Sequence, residues 1–200
     1  MPNKEINQAR EFLYHLMALF FVEDYAKNNA NEIVQNLKVL CENSFDEDVS
    51  IAANKILDHI TLNGVESIYD EYQELFLVPF GNYVNLSSSW YHEQREGGAM
   101  QILVKEVLAK TKIRKNEGSF LAPEDHYGFI FTLCSYLLKG QINGDIKEDL
   151  QKELFAKVIN PYINNLYGSM IESNMPIYSQ VGVILANLCN FDRAFLELQR

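Results

Sequence analysis

The sequence has few of the features that usually announce a chemistry. No uninterrupted apolar run reaches eighteen residues, so it predicts no membrane-spanning helix. Only three cysteines occur, Cys41, Cys134 and Cys189, far apart and without CxxC or Cys/His ligand spacing. That pattern predicts buried free thiols in a reducing compartment and no structural metal. HExxH, the Glu-x-x-His pairs of di-iron bundles, Walker and GxGxxG loops and the GxSxG elbow are all missing, so no metal site, nucleotide cradle or serine nucleophile is encoded by motif. No cofactor is expected. No basic stripe interleaved with aromatics is present, which argues against nucleic acid. There is a single tryptophan, and no internal repeat or low-complexity tract.

What is present is apolar and acidic. Of 200 residues, 48% are hydrophobic, enough for a real core in one domain. The net charge is −10, and all of the excess lies in the first half: residues 1–100 carry 16 acidic and 6 basic side chains, whereas residues 101–200 carry 11 of each. Such a field repels phosphates and favours cationic partners, although plain solubility accounts for it equally well. The early stretch "FLYHLMALFFV" has the oiliness of a signal peptide, but His15 interrupts it and Glu5 and Glu11 precede it, so it reads as the first helix of a cytoplasmic protein.

Helical periodicity runs nearly throughout, and the fold class is all-α, with about eight to ten helices around one core. The first helix is expected from Lys4 to Asn28. The second is "NEIVQNLKVLCE". In the third, Val49, Ala52, Ala53 and Ile56 share a face. The fourth runs from Ser67 to about Leu77. Residues 79–98, "PFGNYVNLSSSWYHEQREGG", read as a long aromatic loop, briefly extended at "VNLSSSWY", between an N-terminal half of about 1–78 and a C-terminal half of 99–200. A helix resumes at 99–112. Pro161 should end or kink a later helix, and Pro176 should introduce the last.

Two places carry candidate function. In the fourth helix Glu66, Asp70 and Glu74 fall at i, i+4 and i+8 on one stripe, where like charges repel by a few tenths of a kcal/mol per pair, a cost a cationic peptide would relieve. A solvated face explains the same spacing. The second place is "APEDHYGFIFTLCSYLL". Pro123 suits a first helical turn, Glu124 and Asp125 suit the positive end of a helix dipole, and the run after Tyr127 is apolar on every side, as in a central buried helix. Gly128 inside it implies close backbone packing. His126 has no local explanation. The segment fits helix-start chemistry, half of a catalytic site or part of a binding surface; Cys134, two turns on, is too far for thiol–imidazole activation.

The segment "APEDHYGFIFTLCSYLL" resembles the E-P-x-D-H stretch and following apolar helix of the TorD/DmsD/NarJ family of redox-enzyme maturation chaperones. "FLYHLMALFF", "YDEYQELFLVPFG", "SSSWYHE" and "VGVILANLCNFDRAFLEL" are similar, in order, to other segments of that family. The resemblance implies an all-α chaperone without catalysis. Its client would be the precursor of a molybdopterin-containing oxidoreductase subunit, held through its twin-arginine leader and its folded body until the cofactor is inserted. It also implies leader contacts at Asp125 and His126, beside Pro123, and at the aromatic or apolar positions Tyr72, Leu75, Phe80, Trp90 and Tyr91. The acidic residues Glu66, Asp70 and Glu74 join them as candidate partners for arginine. Monomer and homodimer both fit. Three positions depart from the pattern: Ala122 stands where the family has glutamate, Val78 where it has glycine, and Trp90 alone represents its tryptophan-rich loop. The competing reading is an all-α enzyme or small-ligand sensor with a pocket around Asp125, His126 and His92.

Overall fold

We describe a computed structural model, which covers residues 2–43, 46–79, 81–116, 118 and 120–199. Among these residues there are eleven α-helices and no strand. They are α1 (Pro2–Phe21), α2 (Glu23–Asn28), α3 (Ala30–Glu42), α4 (Glu47–Asn63), α5 (Ser67–Tyr72), α6 (Ser88–Glu93), α7 (Ala99–Ala109), α8 (Tyr127–Asn143), α9 (Leu150–Leu154), α10 (Ile163–Glu172) and α11 (Tyr178–Phe195). Short π-helical segments continue α5 (Gln73–Leu77) and α9 (Phe155–Ile159).

The expected first helix is in fact two. Val22 takes an extended conformation (φ −93°, ψ 119°), and α2 starts again with Glu23 and Asp24 in its first turn, where carboxylates offset the helix dipole. The third helix starts as its sequence suggests, with the Asp46 carboxylate accepting the Asp48 N–H at 2.8 Å, and Val49, Ala52, Ala53 and Ile56 are all buried. The α7 helix stops at Ala109, three residues short of the expected end. Pro161 separates the π segment after α9 from α10, and Pro176 lies just ahead of α11, as their chemistry predicts.

One hydrophobic cluster draws on α1 through α11, so both ends of the chain share a core. At its centre α1 lies against α8, and α11 packs on α10, α4 and α1. The close approach of α1 and α8 depends on Gly128: a Cβ there would lie 2.5 Å from the Phe21 carbonyl oxygen, so only glycine fits. Two buried polar ties fix the frame. Arg10, 2% exposed, donates to both carboxylate oxygens of Asp192 at 2.7 and 3.1 Å, while Tyr14 and Gln151 donate to the same carboxylate at 2.6 and 3.1 Å. Every partner in this network is satisfied, which a buried charge requires. The second tie is Glu71. Its carboxylate accepts the N–H groups of Ile177 (2.9 Å) and Tyr178 (3.1 Å), capping α11 where Ile177 has no side-chain acceptor of its own. Burial raises the Glu71 pKa, against those two N–H groups and nearby His59. Glu71 thus clamps α5 to α11, over an aromatic cluster in which Tyr178 meets Phe20, Tyr72 and Phe76 edge to face.

Residues 79–98 are more ordered than a bare loop. Residues 83–86 form no regular element, Ser87 is extended and makes a single antiparallel bridge with His126, and Ser88–Glu93 then turn into α6, with the Ser87 hydroxyl accepting the Trp90 N–H. Ser87, Ser88 and Ser89 are buried, so these serines belong to the packed structure and not to a flexible linker.

Candidate functional site

The start of α8 lies four residues later than the proline suggests. Pro123–His126 forms a tight turn, closed by the His126 N–H on the Pro123 carbonyl at 3.1 Å. The helix begins at Tyr127, with His126 as its N-cap: the imidazole Nδ1 accepts the Gly128 N–H at 3.1 Å. This is the role that local rules left blank. Because Nδ1 is an acceptor there, the ring is held in its neutral form. Burial pushes its pKa from 6.5 down to about 4, against the opposing pull of Asp125. The Phe120 ring meets the imidazole edge to face at 5.4 Å.

The two acids of the turn face inward, and each carboxylate meets protein donors through one oxygen, Asp125 Oδ1 being buried without a partner. Asp125 is 0% exposed, and its Oδ2 accepts the Ser87 hydroxyl at 2.5 Å and the N–H groups of Gly97 at 3.1 Å and Ser89 at 3.3 Å. Gly97 presents its N–H from a positive φ of 65°. The backbone repeats the tie, with Ser88 N–H on the Asp125 carbonyl at 2.9 Å and Tyr127 N–H on the Leu86 carbonyl at 2.8 Å. Asp125 therefore latches residues 86–97 to the mouth of α8. For Glu124 burial works to raise the pKa, but the Gln101 amide at 2.5 Å together with Lys105 and Lys115 holds it below the usual carboxylate range.

Three adjoining cavities form a trough across this mouth. The first, about 290 Å³, lies between α2, residues 113–116, Phe120 and α8, with Tyr25, Ile113, Phe129 and Tyr136 among its walls. The second, about 380 Å³, shares Val22, Asp24 and Phe120 with the first and adds Glu23, Tyr72, Leu121 and His126. The third, about 100 Å³, shares Tyr72, Leu77 and His126 with the second and ends at Tyr83 and Glu96. Four large apolar side chains stand exposed in its walls: Leu77, Tyr83, Leu121 (89% exposed) and Tyr136. Leu77 ends the π segment after α5, where the Val78 N–H reaches back to the Gln73 carbonyl at 3.0 Å. A trough whose walls mix apolar side chains with charged ones is a shape suited to an extended or helical peptide.

The structure brings some of the sequence candidates together and leaves others apart. Tyr72, Pro123 and His126 line the trough. Asp125 lies behind it as the latch. Leu75 is fully buried in the core and does not reach the trough. Tyr91 pins its loop, donating its hydroxyl to the Asn85 carbonyl at 2.8 Å and setting its ring against Tyr127. Trp90, 41% exposed, stands outside the three cavities. Glu66, Asp70 and Glu74 are exposed, and none of them lines the trough. Phe80 is outside the described residues. His92 hydrogen-bonds the Tyr162 hydroxyl at 2.5 Å and does not join Asp125 and His126 in one pocket. Among the described residues no His, Cys, Asp and Glu cluster is arranged to hold a metal ion. Cys134 and Cys189 are buried free thiols with pKa values raised by burial, and Cys41 is a half-buried one.

Sequence reasoning missed Glu23, Asp24, Glu96 and Phe120, which are distant in sequence and meet only at the trough. The acids that open α2 were a local signal, since carboxylates gather at helix starts; nothing local tells where that helix faces.

The trough lies at the capped end of the central helix of an all-α protein. The chain belongs to the nitrate reductase delta subunit family, whose model matches residues 42–167, and this is a family of molybdoenzyme maturation chaperones. A comparison with curated proteins found no match.

Proposed function

We propose that this protein is a cytoplasmic chaperone that binds the leader and the immature body of a molybdenum-cofactor oxidoreductase subunit. It assists cofactor insertion and holds the precursor back from export until it is mature. The trough carries this reading. Its apolar walls suit the oily segment of a leader, its carboxylates suit the arginines before that segment, and its mouth is built from the same Pro123–His126 turn that carries the family resemblance. The role is to bind and release, without chemistry on the client.

A pull-down from native cells tests the proposal. The expected result is co-purification of a large molybdoenzyme subunit in its precursor form, reduced when the leader is deleted. Equal capture of the client with and without its leader would refute leader recognition. Capture of no redox subunit at all would refute the chaperone role in this cell.

A further inference from the structure

Asp125 is a poor receptor for an arginine: it is fully buried, and one oxygen is already taken by three donors. Other carboxylates do face the trough. Glu23 stands in the wall of the second cavity and Glu96 in the wall of the third, and the two cavities share Tyr72, Leu77 and His126. Both side chains are exposed, and each is steadied by one neutral donor. The Tyr69 hydroxyl reaches Glu23 Oε1 at 3.0 Å, and the Asn85 amide reaches Glu96 Oε1 at 2.9 Å. Neither takes part in an ion pair among the described residues. They are aimed but not neutralised, and the uncharged His126 between them adds no repulsion toward a cation near neutral pH.

Charge also varies along the trough. Its third cavity has Glu96 as its sole charged wall residue, His126 being neutral; the second has Glu23 and Asp24 against Lys27; the first has Asp24 against Arg114 and Lys115. The negative end is therefore at Tyr83 and Glu96. At the other end Ile113, Phe129, Leu133 and Tyr136 supply apolar wall. A peptide with cations first and an oily run after them matches this gradient in one direction only.

We propose that Glu23 and Glu96 receive the arginine pair of the leader, and that its apolar run extends from there toward Phe129 and Tyr136. This rests on the leader-binding reading above and adds the receiving residues and the direction.

The test is calorimetry with synthetic leader peptides of the same cell's molybdoenzyme subunits, each also made with Gln-Gln in place of its arginine pair. Glu23→Gln with Glu96→Gln should weaken the arginine leader about tenfold, as two solvent-facing charge pairs would, and leave the Gln-Gln leader within about twofold. Added salt should weaken wild-type binding and have less effect on the double variant. A photoreactive residue in the peptide's apolar run should crosslink to residues 129–136. Equal losses for both peptides, a tenfold loss from Asp70→Asn with Glu74→Gln instead, or crosslinking at Tyr83 would each overturn the assignment. If wild-type protein binds none of the leaders, the leader-binding reading itself falls.

Discussion

Replacing Asp125 with alanine removes the acceptor on which the Ser87 hydroxyl and the Gly97 N–H converge, with the Ser89 N–H a longer third. Ser87 and Ser89 are buried, so water does not reach them unless the segment opens. An orphaned buried donor costs about 1–3 kcal/mol, so the buried Ser87 hydroxyl and the half-buried Gly97 N–H together put the loss at about 2–4 kcal/mol. Opening of residues 86–97 limits that figure, because a freed segment recovers its hydrogen bonds from water. Asparagine keeps an acceptor oxygen but loses the charge assistance, for a loss of about 1–2 kcal/mol. Urea unfolding measures the global term. Hydrogen exchange measures the local one, at the Ser88 and Tyr127 amides that bond across the latch. Leader affinity should fall in parallel, and equally for arginine and Gln-Gln leaders, because a latch shapes the trough without touching the cation. An Asp125→Ala variant with wild-type stability and unchanged exchange at those amides would refute the latch.

Gly128→Ala should destabilise by about 1–3 kcal/mol despite alanine's better helix propensity, since the added Cβ meets backbone at Phe21; a raised melting temperature would show that α1 and α8 have room to separate. Arg10→Met alone should cost about 3–5 kcal/mol in denaturant unfolding by stranding the Asp192 carboxylate, and adding Asp192→Leu should recover part of it; no recovery would mean that the ion pair is itself stabilising. His126 has a folded pKa of about 4 against an ordinary 6.5, so the unfolded chain takes up the proton first. Its contribution is present above about pH 6.5 and is lost as the pH falls toward 4. His126→Asn keeps a capping acceptor and should flatten the stability profile over that window; an unchanged slope would place the titration elsewhere.

Much of the helical frame was legible in the sequence because it rests on local rules. Apolar spacing located the buried faces, as at Val49, Ala52, Ala53 and Ile56. The all-round apolar run after Tyr127 marked α8 as central, and Gly128 marked a close approach whose partner, Phe21, lies over a hundred residues away. The site was less legible. Glu124 and Asp125 look like helix-start acids, yet their partners, Gln101 and Ser87, come from other parts of the chain, and His126 takes the cap. Ser87, Ser88, Ser89 and Gly98 look like linker and are buried instead. Glu71 sits among exposed acids and differs only in facing the start of α11.

The sequence by itself determined an all-α chain with a central oily helix, no motif for metal or nucleotide, and a family signature at the mouth of that helix. Periodicity, composition and short-range capping depend on near neighbours, so they survive in the linear order. The tertiary structure alone decided which acids are spent holding the protein together and which stand exposed in the walls of the trough. That choice depends on burial and on donors brought from distant parts of the chain, which turn Asp125 into a latch and leave Glu23 and Glu96 exposed at the trough.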